Sequence, residues 1–494
     1  MMSDEESQTT ERLASEFLTS FHREGVYLGD HISRLADFAL SDDDVMAKAA
    51  SRAIFTSLIE RLADSFDPAA VTLYNQLFAQ LIAQCRAHSR GEAIDRELNF
   101  FRLGSQQAMI TRAEYLRSSK SRADLISRRV KLIVVLSRVT IGADVAITSV
   151  FIERLKQIFP DARIALAGGG NAMELFGGDA RLSFHQLGYR RAGATLERLS
   201  NWIDVLNCIR SLTEGLDRDE YLIADPDSRL TQLGLLPVAK DDRYLFFPSR
   251  EYRHSSSLPL AELASIWLDD IFGPSAPTLP RVSLNPQDIA AGREVAKRLR
   301  QNNSRPVVTI NFGVGENAAK RIGNVFEKSL VAELIGGSAI VILDRGVGEE
   351  EIRRADAVVN NVIKMKPDIR VIEIDEENLK RSLDSNRMTE VDLVVWRGRI
   401  GMLAALIGQS DLYVGYDSAG QHIAAAMGVP TIDVMAGYTS PRMIERWRPT
   451  GPSDVCVISV DTLNATPNEK ALLSDTLLFC SAFADFYTDE NNHS

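Results

Sequence analysis

The stretch that decides the fold is Val414-Gly-Tyr-Asp-Ser-Ala-Gly-Gln-His-Ile-Ala-Ala-Ala-Met-Gly-Val-Pro430. The apolar run from Leu412 to Gly415 is typical of a buried strand, and the small and polar residues after it lead directly into an alanine-rich helix. A strand, a tight loop and a helix N-terminus together offer unpaired backbone N–H groups and a positive dipole end to an anion. The stretch therefore predicts an α/β fold with a phosphate-binding loop.

The side chains of this loop suit a nucleotide diphosphate. Ser418 adds a hydroxyl donor, and Ala419 and Gly420 let a phosphate approach the backbone closely. Asp417, at the carboxyl end of the strand, can accept a hydrogen bond from a ribose or sugar hydroxyl. The alternative is an ordinary helix N-cap, in which Asp417 or Ser418 satisfies backbone donors and His422 packs on the first turn. The loop alone leaves both interpretations open.

A second strand, loop and helix lies near the middle of the chain. The run from Lys131 to Ser137 is typical of a strand buried on both faces, and a helical pattern follows from Val145 to Phe159. Ala162 to Gly168 then predicts the next parallel strand. Asp144 stands where the first strand meets its helix, at the sheet edge where ligands bind in open parallel sheets. It is a candidate general base, and equally a first-turn carboxylate favoured by the helix dipole.

Four motifs in chain order carry a resemblance to a known family. They are Ile141-Gly-Ala-Asp-Val145 with Phe159-Pro-Asp-Ala-Arg-Ile164, Val307-Val-Thr-Ile-Asn-Phe-Gly313 followed by Lys320, Leu343-Asp-Arg-Gly-Val-Gly-Glu349, and the loop quoted above. Together they resemble glycosyltransferase family 9, the family of the lipopolysaccharide heptosyltransferases, over roughly residues 128–460. The resemblance implies a GT-B fold, in which two Rossmann-like domains face a cleft.

The resemblance also implies roles for individual residues. It implies Asp144 as the catalytic base, and it implies a donor site formed by the following residues. The diphosphate contacts are Lys320, Ser418, Ala419, Gly420 and His422, and the nucleoside and sugar contacts are Gly313, Glu349 and Asp417. The chain departs from the family pattern at Ala143, at Ala419 and after Lys320.

The implied activity is inverting transfer of a heptose or related sugar from a nucleotide-diphosphate donor to a glycan, glycolipid or protein acceptor. An ADP-sugar is the favoured donor, and lipopolysaccharide biosynthesis is the favoured setting. We expect no cofactor and no metal, because the donor site has no Asp-x-Asp clamp or His/Cys cluster. Two alternatives stay open: a nucleotide-sugar 2-epimerase-like isomerase, with His185 and His254 as the free histidines, and a non-catalytic sugar-nucleotide-binding protein.

Composition narrows the class of protein. The chain has 494 residues, 45% of them hydrophobic and 25% charged, as in an ordinary globular protein with two or three domains. A net charge of −11 argues against nucleic acid as a partner. The four cysteines are far apart and predict buried free thiols. The acidic, polar N-terminus and the lack of a long apolar run predict a cytoplasmic location, with the inner face of the membrane as an alternative.

The chain divides into three predicted domains. Residues 1–125 have helical periodicity and form a packing or oligomerisation domain, with a role in acceptor binding as the alternative. Residues 126–295 form the acceptor domain, and residues 296–494 form the donor domain with a C-terminal helix that crosses back. The predicted strands are 131–137, 162–168, 220–225, 306–312, 339–344, 412–415, 431–435 and 455–460.

Two features on the acceptor side each have two interpretations. Asp225 and Arg229 follow the third predicted strand, where Arg229 either holds an acidic acceptor group or forms a structural ion pair. A basic cluster from Arg112 to Lys131 is either a solvated helix face or a contact with an anionic membrane surface.

Overall fold

The computed structural model describes residues 2–118, 129–189, 193–301, 304–315, 317–384 and 388–490, with side chains described from residue 8 to residue 483. The described part of the N-terminal region contains helices and no strand, as predicted. Its helices are α1 (Met2–Glu24), α2 (Gly29–Ala39), α3 (Asp44–Arg52), a π-helical segment (Ala53–Glu60), α4 (Arg61–Asp64), α5 (Pro68–Ala87), α6 (Glu92–Phe100) and α7 (Gln106–Ser118).

Aspartates begin two of these helices. Asp67 accepts a hydrogen bond from Ala69 N at 2.9 Å, with Pro68 in the first helical position of α5. Asp43 accepts from the first turn of α3 in the same way. Helix α5 then buries Leu73, Leu77 and neighbouring apolar residues in a core that continues onto the first sheet.

The first sheet is entirely parallel, in the order β3-β2-β1-β4-β5. Its strands are β1 (Leu132–Leu136), β2 (Arg163–Gly168), β3 (Leu182–Gln186), β4 (Tyr221–Asp225) and β5 (Tyr244–Phe246). Its helices are α8 (Ile141–Ala143), continued by a π-helical segment (Asp144–Thr148) into α9 (Ser149–Ile158), then α10 (Ala172–Phe176), α11 (Thr195–Thr213) and α12 (Leu260–Phe272). The strand order reverses between β1 and β4, so a crevice opens at their carboxyl ends.

The second sheet is also parallel, in the order β12-β11-β10-β6-β7-β9-β8. Its strands are β6 (Val307–Asn311), β7 (Ile340–Asp344), β8 (Val371–Asp375), β9 (Leu393–Arg397), β10 (Leu412–Tyr416), β11 (Thr431–Ala436) and β12 (Val455–Val460). Its helices are α13 (Pro286–Arg300), α14 (Asn324–Gly336), α15 (Glu349–Met365), α16 (Leu379–Asp384), α17 (Ile400–Ile407), α18 (Ala419–Ala426), α19 (Pro441–Trp447) and α20 (Glu469–Glu490). The order reverses at β6, beside the loop that follows β10.

The predicted architecture of two parallel sheets with an N-terminal helical region is confirmed. Strands β3, β5, β8 and β9 were not predicted. We expected α20 to cross back onto the first α/β region, but its described side chains pack on α14 and the second sheet through Leu472 and Cys480. The four cysteines are free, as predicted, but only Cys85 and Cys480 are buried, whereas Cys208 and Cys456 are half-buried. None of the described helices combines the length and the apolar character needed to span a membrane.

Candidate active site

The loop after β10 leaves the N-terminus of α18 without a side-chain cap. Ser418 occupies the N-cap position in an extended conformation, but its side chain accepts no hydrogen bond from the first turn. Asp417 does not cap the helix either, since its carboxylate is bound by the side chains of Lys320 and Gln421. The N-cap alternative is therefore not realised among the described residues. The first-turn N–H groups have no side-chain acceptor and suit an anion.

Tyr413 lies beneath this loop and explains the glycines on either side of it, Gly415 of β10 and Gly420 of α18. A Cβ atom at either Gly415 or Gly420 would overlap the hydroxyl of Tyr413. The phenol is fully buried, and burial raises its pKa, so the hydroxyl stays protonated. The loop can therefore approach β10 closely only because these two positions lack side chains.

An ion pair joins two of the residues that the sequence singled out. Lys320 Nζ lies 2.5 Å from Asp417 Oδ2, although the two residues are far apart in the chain. Lys320 ends a short 3₁₀ turn (Ala318–Lys320) after β6, and Gln421 Nε2 donates to Asp417 Oδ1 at 2.9 Å. The lysine side chain keeps about a fifth of its surface exposed, at 21%. A partly exposed lysine side chain thus pairs with Asp417, the residue before the N-cap of the uncapped helix.

His422 lies in the first turn of α18 and is buried. Burial lowers its pKa to about 4, against the opposing effect of Asp417. The imidazole is therefore neutral near neutral pH, and it packs edge-on against Trp447 with ring centroids 6.1 Å apart. The loop after β10, residues 417–420, is the predicted donor loop, and His422 lies beside it as a neutral side chain.

The glycine turn after β6 lies next to the loop after β10, because β6 and β10 are paired strands. Gly313 N donates to Asn311 Oδ1 at 2.7 Å, and Asn311 Nδ2 donates to Asp344 Oδ2 at 2.6 Å. Glu349 was expected here, but it is exposed at the first turn of α15. The carboxylate that accepts a hydrogen bond from this turn is that of Glu351, from Gly315 N at 3.3 Å.

Asp144 is buried, and both of its oxygens accept hydrogen bonds. Oδ1 accepts from Arg138 N at 2.8 Å and from Thr148 Oγ1 at 2.7 Å, and Oδ2 accepts from Ser137 Oγ at 2.6 Å. Burial raises its pKa, while these donors act in the opposite direction. The carboxylate ties the end of β1 to its helix, a structural role that the sequence left open beside the catalytic one.

The α8 turn contacts the donor loop directly. A Cβ atom at Gly142 would lie 3.2 Å from His422 Cδ2 and 3.4 Å from Ala419 Cα. The Arg138 guanidinium lies over the Trp447 ring, 5.8 Å from its centroid. The two sheets therefore meet, through their connecting loops, between the candidate base and the candidate diphosphate site.

A second contact between the two α/β regions is made by Arg446 of α19. Its guanidinium is almost completely buried and donates to the carbonyl oxygens of Leu258 at 2.9 Å, Arg253 at 3.1 Å and His254 at 3.1 Å. Arg442, one helical turn earlier, also donates to His254 O. Helix α19 is thus hydrogen-bonded to the backbone of the loop that precedes α12.

Asp225 and Arg229, the two candidates for acceptor binding, differ in burial and in hydrogen bonding. Asp225 is fully buried and accepts hydrogen bonds from Ser228 N, Thr231 Oγ1 and Tyr244 Oη, which is a structural arrangement. Arg229 is half-buried, and its side chain forms no hydrogen bond or ion pair with any residue that the structure describes. Burial alone would lower its pKa, but nearby acidic groups, among them Tyr74 and Asp64, raise it. Arg229 therefore keeps its charge.

In the basic cluster from Arg112 to Lys131, the first two arginines, Arg112 and Arg117, have neither of the roles expected from the sequence. Arg112 donates to Asp241 and to Gly234 O, and Arg117 donates to Leu233 O and pairs with Glu251. Both side chains are largely buried, so they form neither a solvated face nor a membrane contact. Arg129 forms an exposed pair with Asp219. Lys120, Arg122 and Arg128 lie outside the described residues.

Neither histidine of the epimerase alternative lies at the donor loop. His185 is on the edge strand β3 beside Ser183, and His254 is exposed and offers α19 its carbonyl rather than its imidazole. Four residues that the sequence did not single out do take part in the site or its contacts: Tyr413, Glu351, Arg446 and Trp447. Only Tyr413 had a local signal, as one of two tyrosines in the otherwise apolar strand before the loop.

Several solved structures are similar to this chain at low identity. A glycosyl transferase family 9 protein from Veillonella parvula is 14% identical over 71% of this chain and 91% of its own, with a TM-score of 0.47. The E. coli ADP-heptose lps heptosyltransferase II is 14% identical over 72% and 100%, with a TM-score of 0.44. The UDP-GlcNAc 2-epimerase from Neisseria meningitidis is 10% identical over 71% and 92%, with a TM-score of 0.37. TM-scores of this size do not assign an activity.

No protein with a curated description matches the chain. Residues 373–474 match the sequence profile of glycosyltransferase family 9 (heptosyltransferase). The matched segment includes the donor loop and its uncapped helix, and it excludes Asp144 and Lys320. The match supports the prediction of a glycosyltransferase and confirms that the chain resembles glycosyltransferase family 9, whose sequence signature it carries at residues 373–474.

Proposed function

We propose that the chain transfers a heptose or related sugar from a nucleotide-diphosphate donor to a hydroxyl group of a glycan, glycolipid or protein acceptor. The proposed reaction inverts the anomeric carbon and uses no metal ion. The observation that carries the proposal is the uncapped N-terminus of α18 beside the partly exposed side chain of Lys320. Both features stabilise a diphosphate leaving group.

In the proposed donor complex, the phosphates accept hydrogen bonds from the first-turn N–H groups, with Ser418, Ala419 and Gly420 at the approach. Lys320 turns from Asp417 toward the phosphates and offsets their charge. Asp417 and the Gly313 turn then face the sugar and the nucleoside, with Glu351 nearer to that turn than Glu349. The family resemblance favours adenine as the base.

Asp144 is the proposed base. It takes the proton of the acceptor hydroxyl as the acceptor oxygen bonds to the anomeric carbon and the bond from that carbon to the diphosphate breaks. The effect of burial on its pKa supports proton acceptance. The contact of Gly142 with Ala419 and His422 has to open to admit substrates, so the proposal includes movement between the two α/β regions.

On the acceptor side, we propose Arg229 as the contact for an acidic acceptor group. The support is its retained charge and the absence of a direct partner among the described residues. If the role is right, Arg229→Gln raises the KM for an acidic acceptor and leaves the Kd of the nucleotide unchanged.

A non-catalytic sugar-nucleotide-binding protein is the second candidate. Its support is Asp144, both of whose oxygens accept hydrogen bonds from protein donors in this arrangement. The test begins with thermal stabilisation by ADP, UDP, GDP and dTDP, because a ligand that binds the native state raises the melting temperature. Incubation with the corresponding nucleotide sugars then follows. Nucleotide release with transfer supports the transferase, epimerised sugar supports an isomerase, and stabilisation without turnover supports the binding protein.

A further inference from the structure

Asp433 is a buried carboxyl group without a hydrogen-bond partner among the described residues. It lies in the middle of β11 and is 0% exposed, and neither Oδ1 nor Oδ2 accepts a hydrogen bond. The strand register places it beside Gly415 of β10 and Val457 of β12, neither of which has a polar side chain. An isolated carboxylate in a protein interior is strongly disfavoured, so burial raises the pKa of such a group and makes it responsive to charges nearby.

Asp433 lies beneath the donor loop. Tyr413, Gly415 and Asp433 share one face of the sheet by register, and α18 packs against both strands. The titratable groups that act on Asp433, or on which it acts, are Asp417, Lys320, Tyr413 of β10 and Cys456 of β12. His422 belongs to α18, which packs against β10 and β11, and it is neutral near neutral pH.

The charge of Lys320 therefore acts on two carboxyl groups, those of Asp417 and Asp433. Lys320 is the one cation among these described groups, and it is already paired with Asp417 at 2.5 Å. Burial first, and then the charge of Asp417, raises the pKa of Asp433 well above its usual range. A diphosphate at the N-terminus of α18 adds negative charge and draws Lys320 away from Asp417. Nearby negative charge favours the protonated form of a carboxyl group.

Resting on the proposed function, we propose that Asp433 takes up a proton when a nucleotide diphosphate binds at the N-terminus of α18. The site would then bind the diphosphate and one proton together, with Asp433 as a positioning residue beneath the loop. At pH values above the pKa of Asp433 in the free protein, the affinity falls as the pH rises, by about tenfold per pH unit for one proton.

The test is titration calorimetry of the full chain with ADP-glucose, whose diphosphate diester has no group that titrates near neutral pH. Titrations from about pH 6 to about pH 9, in buffers of different ionisation enthalpy, give the number of protons taken up. We expect the uptake by the wild type to be near zero at pH values below the pKa of Asp433 in the free protein and to approach one proton above it. We expect no uptake at any pH for Asp433→Asn, in which the amide imitates the protonated acid. The matched control is Asp461→Asn, which removes an exposed carboxylate at the same edge of the sheet and leaves the uptake unchanged.

The outcomes are distinguishable. Binding of ADP-glucose without proton uptake, and with an affinity independent of pH, across the whole range overturns this inference and leaves the proposed function standing. Uptake that persists in Asp433→Asn assigns the proton to another group and also overturns it. Absence of binding by ADP-glucose and by the other nucleotide sugars contradicts the proposed function, and this inference with it. The wild-type titration can overturn the inference even if Asp433→Asn fails to fold, because it shows by itself whether a proton is taken up.

Discussion

Phe66 of the N-terminal helical region packs edge-on against Trp447 of α19, with ring centroids 6.4 Å apart. The backbone of Phe66 is left-handed, at φ 52°, which costs a residue with a Cβ about 1–2 kcal/mol. Trp447 also contacts Arg138 and His422. One indole ring therefore joins the helical region to both α/β regions at the candidate site.

Replacing Phe66 by Leu should destabilise the whole chain rather than the helical region alone. The variant loses the aromatic pair and part of the buried ring, so we expect the free energy of unfolding to fall by about 1–3 kcal/mol. Denaturant unfolding followed by circular dichroism measures the change. Phe100→Leu is the matched control, because that ring is 68% exposed and its loss should cost less than about 0.5 kcal/mol. Equal losses in the two variants would contradict the proposed coupling.

Lys320→Ala should weaken nucleotide-diphosphate binding. The variant removes a charge-assisted contact, so we expect a loss of roughly 10- to 100-fold in affinity for ADP, measured by calorimetry. The fold should persist, since the side chain is partly exposed and contributes charge rather than core packing. Lys297→Ala, an exposed lysine on α13, serves as the control and should bind ADP normally. Unchanged ADP affinity in Lys320→Ala would remove this lysine from the site.

Asp144→Asn separates catalysis from structure. The amide oxygen can still accept from Arg138 N and Thr148 Oγ1, so we expect a modest change in melting temperature. Loss of a general base should lower kcat by roughly two to four orders of magnitude. Thr148→Val, which removes one donor to the same carboxylate, should affect stability more than kcat. Near-normal turnover in Asp144→Asn would assign this residue to the β1 connection alone.

Asp225 should make stability depend on pH. Burial raises its pKa to about 6 in the native state, against about 3.9 in the unfolded chain. The native state therefore binds the proton more tightly, and this stabilisation is fully present below about pH 4 and is lost as the pH rises through about 6. Asp225→Asn should flatten this part of the stability curve, by up to about 3 kcal/mol. Chemical denaturation of both proteins across this range checks the slope, and parallel curves would contradict the assignment.

The central strands of both sheets could be predicted because they are buried on both faces and are therefore continuous apolar runs. Strand β3, Leu182-Ser-Phe-His-Gln186, is an edge strand with half-buried and exposed positions, so its pattern resembles a loop. Strand β5 has three residues, too few for a periodic signal. The apolar part of β9 is only four residues long, and such a run does not distinguish a strand from a helix.

The parts of the candidate site that lie in one contiguous stretch of sequence could be predicted. The parts formed by residues that are distant in the chain could not. The donor loop follows from one contiguous stretch, and its uncapped helix agrees with the anion-binding interpretation. The contacts of Arg446 and Trp447 join residues that are distant in the chain, so no local pattern indicates them. Asp433 did have a signal, as a lone carboxylate in the apolar strand from Thr431 to Ala436.

The hydrogen bonds between Arg446 of α19 and the loop before α12 constrain the amino-acid sequences of these two segments unequally. Its three acceptors are main-chain oxygens of residues 253, 254 and 258, and any amino acid at those positions supplies the same oxygen. A planar guanidinium with several fixed donors is supplied by arginine alone. The loop before α12 can therefore change its side chains, for example to suit a different acceptor, without releasing α19, whereas a lysine at position 446 cannot hold all three carbonyls in the same geometry.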